Sequence, residues 1–133
     1  MIFCFSCSKE DSLHAEPRFA FRCNGALKKF TSSQVSATGR DWCGRRLYTI
    51  SAQAGGEVFM MSIITDTLKT GTYILDEEGG VNLWTATSAA VSETPFVLQI
   101  TRNHDQIQGT FSGQLSNAVT IEDGVINDLK ILL

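Results

Sequence analysis

An all-β domain, either an antiparallel β-sandwich or a flattened β-barrel of about nine or ten hairpin-linked strands with little or no helix, is predicted by three observations. The first is the stretch from Phe96 to Leu115. Phe96, Leu98 and Ile100 alternate with Val97, Gln99 and Thr101; after Arg102 to Asp105, Ile107, Gly109, Phe111, Gly113 and Leu115 alternate with Gln108, Thr110, Ser112 and Gln114. A period of two sends one set to a core and the other to water. The second is the recurrence of turn-forming pairs, Asn24-Gly25 and Gly55-Gly56 among them, at intervals that fit short strands. The third is that Val, Ile, Thr and Phe are spread throughout and no stretch reads convincingly as a helix.

In chain order, the folded part begins near Arg18. Phe19, Phe21 and Cys23 alternate with Ala20 and Arg22, Asn24-Gly25 turns the chain, and Ala26 to Phe30 returns, with Thr31 to Val35 as an extension of that strand. Ser36 to Arg45, rich in turn formers, is read as a polar loop. Leu47 to Ala52 and Glu57 to Thr65 form a second hairpin about Gly55-Gly56, with Phe59, Met61 and Ile63 on the core face. Asp66 to Lys69 is a loop or one helical turn, Gly71 to Leu75 a short strand, Asp76 to Gly80 a turn and Val81 to Thr87 the next strand. Ser88 to Pro95 connects to the Phe96 hairpin, and Val119 to Ile121, a turn at Glu122-Asp123-Gly124, and Val125 to Leu132 close the domain. The glycines flanking Phe111 leave room for an aromatic ring from a neighbouring strand, or mark a bend.

The totals bound what such a chain can do. One domain of 133 residues buries enough surface to fold without metals or disulfides. A net charge of −3 with 19% charged residues gives no reason to expect nucleic acid or an anionic membrane surface as partner. Hydrophobic residues at 43% argue against disorder, and no apolar run approaches the ~18 residues of a spanning helix.

The front of the chain carries a different signal. Met1 to Phe5 is apolar, and Phe5-Ser6-Cys7-Ser8 resembles the end of a bacterial lipobox, whose cysteine becomes the lipidated first residue. Ser8-Lys9-Glu10-Asp11 resembles the short lysine-and-acid signal that directs Bacteroidetes-type lipoproteins to the outer face of the outer membrane. The apolar part is short and no basic segment precedes it, so it is read as an incomplete signal peptide. The expected organisation is residues 1–6 as signal remnant, 7–17 as lipidated tether and 18–133 as one β-domain. The order of motifs then resembles, over essentially the whole chain, a family of small Bacteroidetes lipoproteins of unknown function. Those motifs are Asn24-Gly25, Leu47-x-Thr-Ile50, Gly71-Thr-Tyr-x-Leu75, Leu98-x-Ile-Thr101, Gly109-Thr-Phe-Ser-Gly113, Val119-Thr-Ile121 and Asp123 to Leu129. The resemblance implies an all-β fold, an envelope location and membrane attachment through lipid on Cys7. It brings no activity with it.

Residues that carry chemistry are few. Cys4 lies in the signal remnant and Cys7 is the lipid site, leaving Cys23 and Cys43 either as a disulfide or as two free thiols. No cysteine–histidine spacing suits zinc, and neither a metal nor another cofactor is expected. His14 belongs to the tether, and His104 sits in a hairpin turn beside Asp105, an adjacency that cannot orient an imidazole for nucleophilic catalysis. Asp76-Glu77-Glu78 and Glu122-Asp123 are paired acids in expected turns, read as solvated, with calcium at Asp76 to Glu78 a lesser alternative. The most suggestive group is Arg40, Trp42, Arg45 and Arg46 in the polar loop, joined by Tyr48 and Trp84 as a candidate binding patch. Arginine with tryptophan is the composition of binding hot spots, and an aromatic platform with polar neighbours stacks on a sugar or planar ligand. The expectation is a non-enzymatic, lipid-anchored surface module for a glycan or protein partner; a small hydrolase and a ligand-carrying barrel are the alternatives. A barrel of the last kind would line a cavity with Phe59, Phe96 and Phe111 rather than pack them together.

Overall fold

A computed structural model describes residues 18–75, 79–85, 88–92, 96–103 and 106–132. The all-β expectation is met by eleven strands: β1 (Phe19–Cys23), β2 (Ala26–Phe30), β3 (Val35–Trp42), β4 (Arg45–Ala54), β5 (Glu57–Thr65), β6 (Gly71–Ile74), β7 (Gly79–Trp84), β8 (Ala89–Val91), β9 (Val97–Asn103), β10 (Gln106–Leu115) and β11 (Val119–Leu132). Nine of them hydrogen-bond in the order β6-β9-β10-β11-β3-β4-β5-β7-β8, and the β1–β2 hairpin attaches to β11. Every pairing is antiparallel except the short parallel contact of β11 with β3 at Ile131 and Leu132. The result is one curled mixed sheet, a half-barrel, in place of two separate sheets.

Strand β11 makes the curl. Along one edge it pairs with β10 from Val119 to Lys130; along the other it pairs first with β1, at Ile121 to Ile126, and then with β3. Two register shifts against β10 mark bulges, at Glu122–Asp123 and Asn127–Asp128, and Asp123 and Asp128 sit at φ 52° and 46°. Each extra residue bends the strand and adds twist, so β11 serves two layers of the molecule. The opposite side is closed by one backbone and two side-chain hydrogen bonds. The Val91 N–H donates to Ser116 Oγ at 3.0 Å, the Ser116 N–H donates to the Val91 carbonyl at 2.7 Å, and Asn117 Nδ2 donates to the Ala89 carbonyl at 2.9 Å. Edge groups of β8 that would otherwise face water are thereby paired with the turn after β10.

Between the layers the core is aromatic. Phe59 of β5 faces Phe21 of β1 at 4.6 Å between ring centroids, Phe111 of β10 at 5.7 Å and Phe96, just before β9, at 6.4 Å. Phe19 stacks on Phe111 at 5.0 Å. Among the described residues no polar or charged side chain is buried. The inward positions expected for Phe59, Met61, Ile63, Ile107, Phe111 and Leu115 are all observed.

Four sequence expectations are corrected. Ser36 to Arg45 is strand β3 and a hairpin turn, since Val35, Ala37 and Gly39 do alternate inward but are too small to stand out among turn formers. Thr31 to Val35 does not extend β2; Ser32–Gln34 is a 3-10 turn in which Thr31 N–H donates to Gln34 Oε1 at 2.9 Å. The loop expected over Ser88 to Pro95 contains β8, whose three residues are too few to show a period. Glu122-Asp123-Gly124 is a bulge inside the single strand β11, because the chain runs straight on between β1 and β10 and the reversal falls at Ser116–Ala118.

A candidate functional site at the β3–β4 hairpin tip

Strands β3 and β4 pair from Val35↔Ala52 to Trp42↔Arg45, leaving Cys43 and Gly44 as a two-residue turn. Both take positive φ, 47° and 82°, as a primed hairpin turn requires. Gly44 does so without cost, whereas Cys43 adopts the left-handed region because the pairing on both sides holds it there.

This turn sets where the arginines go. Trp42 and Arg45 are directly opposite, and Arg40 lies one outward position below, opposite Leu47. The Arg40 guanidinium carbon stands 5.5 Å from the centroid of the Trp42 ring, within cation–π range. Trp42 is 43% exposed, so its ring remains available. Arg45 Nε lies 3.7 Å from Asp66 Oδ1, and Arg46 Nη2 lies 3.8 Å from Asp41 Oδ1. Both acids are well exposed, so these pairs are screened and mainly hold the guanidiniums in place.

Of the six residues expected to form one patch, the fold brings together Arg40, Trp42 and Arg45 on the outer face at the tip. Arg46 is at the tip too, but opposite Asp41, on the alternate face. Tyr48 is not in the patch: it is 5% exposed and points into the core. Trp84 is not in it either. It pairs with Val58, which pairs with Gln53 at the far end of β4, about 25 Å along that strand from Arg45. Nothing in a linear sequence distinguishes the two tryptophans, because only strand register assigns them to opposite ends.

Cys23 and Cys43 are both free. Cys23 lies close enough to Lys28 and Glu57 to feel their charges, which places it by the Ala54 end of β4, whereas Cys43 adjoins Arg45 at the other end. Arg45 to Ala54 is roughly 30 Å of strand, against the ~7 Å limit for two bridged Cα atoms. Burial pushes the Cys23 thiol pKa up, Lys28 pulling it down and Glu57 adding to the rise.

The carboxylate pair Glu122-Asp123 lies at the rim of an open groove of about 610 Å³ on the outer face of β9, β10 and β11, with Gln99, Thr110 and Ser112. Sequence reasoning missed this groove, since it is formed by three strands whose pairing, with the bulge at Glu122–Asp123, the sequence does not show. Asp123 Oδ2 lies 3.5 Å from Arg22 Nε, both well exposed. Phe59, Phe96 and Phe111 are buried and pack on one another. Among the described residues no group of three or more His, Cys, Asp or Glu side chains is placed to hold a metal ion. Cys4, Cys7, His14, His104, Asp105 and Asp76 to Glu78 lie outside the described residues.

Fold and geometry together define an all-β domain of one curled sheet with an arginine-flanked tryptophan at an exposed hairpin tip. Comparison with protein-family models, with curated proteins and with solved structures gave no match.

Proposed function

We propose that this chain is a non-enzymatic binding module of a bacterial envelope, anchored through lipid on Cys7 and contacting a glycan or protein partner with the β3–β4 hairpin tip. The observation that carries the binding half is the Arg40 guanidinium over the exposed ring of Trp42, at 5.5 Å. A tryptophan ring with one face braced by a cation is already rigid, so stacking a planar or sugar surface on it costs little further side-chain entropy. Arg45, directly across from Trp42, supplies hydrogen-bond donors beside the platform. The packed aromatic core supports this reading over a carrier that holds its ligand inside the barrel. The anchoring half rests on the Phe5-Ser6-Cys7-Ser8 and Ser8 to Asp11 segments and on the resemblance to Bacteroidetes lipoproteins.

Each half has its own test. A glycan array and a pull-down with the 133-residue chain should return a ligand whose binding falls at least tenfold in Trp42→Ala; binding that is unchanged in that variant removes the tip from the proposal. Metabolic labelling with a lipid analogue in the native host should be lost in Cys7→Ser. Labelling that persists there refutes the anchor.

A further inference from the structure

Away from the hairpin tip, the described residues on the outer face of the layer built from β3, β4, β5, β7 and β8 carry no charge. Ala37, Ile50, Met61, Leu83 and Ala90 are buried, so the alternate positions on their strands face out. Register lines these up across the sheet: Thr49 with Ser62, Ser51 with Met60, and Met60 in turn with Asn82 and Val91. Trp84, 39% exposed, and Val91, 48% exposed, complete its far side. From the Arg40–Leu47 row down to the Gly55-Gly56 turn no outward position on these strands is ionisable except Arg40 itself. The outer surface of the other layer carries Arg22, Glu122, Asp123 and Lys130.

We propose that this face is a two-fold interface between copies of this chain. An uncharged surface selects no oppositely charged partner, and copies that each carry a net charge of −3 meet most easily where neither is charged. Its polar groups are hydroxyls and amides, which both donate and accept. One patch can therefore satisfy an identical patch turned to face it, as an isologous interface demands. Size comes close as well. Four strands of about six residues and the three residues of β8, at ~4.8 Å spacing and ~3.3 Å rise, give a flat footprint of roughly 430 Å² per copy, so a pair covers on the order of 900 Å² before side-chain relief adds to it, near the ~1,000 Å² a specific interface needs. The inference does not rest on the hairpin tip or on lipidation.

Sedimentation of the 133-residue chain between about 1 and about 200 µM covers the range in which dimers of micromolar Kd dissociate. The apparent mass should climb from 14.6 kDa toward twice that value. The double variant Thr49→Lys/Ser62→Lys should stay monomeric with an unchanged circular dichroism spectrum, while Thr110→Lys, on the outer face of β10, should still dimerise. A wild-type chain that is monomeric at the highest concentration overturns the proposal, as does a folded double variant that dimerises as well as wild type. A second readout does not depend on how the lysine variant folds. In a Trp42→Phe background Trp84 is the sole tryptophan, and its quenching by acrylamide should fall at least twofold on concentration; quenching that stays constant refutes the interface.

Discussion

Gly124 shows how a missing side chain can organise an interior. A Cβ at this position would overlap ring atoms of Phe111, so the glycine is what lets that ring lie flat against β11 and stack on Phe19 and Phe59. Gly113 does the same for Phe96, whose ring would come within 2.6 Å of an added Cβ. Gly109, the other glycine beside Phe111, instead lies against the backbone carbonyl of Gln99 on β9. The expectation that these glycines admit a neighbouring ring is thus met at Gly113, while the partner of Phe111 itself is on a different strand. Gly124→Ala is expected to cost about 1–3 kcal/mol by overpacking, read as a lower urea midpoint. Combining it with Phe111→Leu, which removes the opposing ring, should cost at least ~0.5 kcal/mol less than the sum of the two single changes. Simple additivity would show that the two do not touch.

Strand β11 has a similar economy over a longer span. Its two left-handed residues are both aspartates, Asp123 and Asp128, and short polar side chains are the ones that tolerate that region after glycine. Asp123 sits in an exposed ion pair with Arg22 worth little to stability, so its conformation is what matters. Asp123→Gly and Asp128→Gly are expected to leave the unfolding free energy within ~0.5 kcal/mol of wild type, while valine at either place should lower it by about 1–2 kcal/mol. Equal loss with glycine and valine would mean that the side chains, not the backbone bends, are responsible. The Asp-Gly pair at 123–124 looks like a hairpin turn in the sequence because this bulge, like a primed hairpin turn, holds a residue at positive φ, Asp123 at 52°. Only the presence of β1 and β10 on both edges makes it a bulge.

Across the whole molecule the two described cysteines report on opposite ends and opposite environments. Cys43 is exposed at the hairpin tip and Cys23 is partly covered. Brief treatment with a maleimide followed by peptide mapping should modify Cys43 at least tenfold faster than Cys23, and comparable rates would contradict the placement of Cys23 against the core. The raised Cys23 pKa has a definite sign in stability. Below the ordinary thiol value both folded and unfolded chains keep the proton, and the group contributes nothing to pH dependence. Above it the unfolded chain loses its proton first, so stability falls as pH rises. Urea titrations at about pH 8 and about pH 10 should show a smaller alkaline loss in Cys23→Ala than in wild type, and an identical loss would dismiss burial as the cause.

Hairpins with strong local turn chemistry were legible from residues alone. Asn24-Gly25, Gly55-Gly56 and the alternation around Phe59 and Phe111 each state strand, turn and buried face within about ten positions. The tip residues were legible as a composition but not as a site, since Tyr48 and Trp84 look in the sequence as good as Arg40 and Trp42. Alternation along one strand says which side chains share a face; it says nothing about which strand lies next to it. Pairing partners in this chain are as far apart as Phe19 and Ile126 or Ala37 and Ile131, and such contacts leave no local trace because they are selected by how the whole apolar surface is buried at once. That is why composition and period of two were enough to establish an all-β chain with these inward residues. The curl of the sheet, the separation of the cysteines and the uncharged outer face emerged only once the layers had closed on their aromatic core.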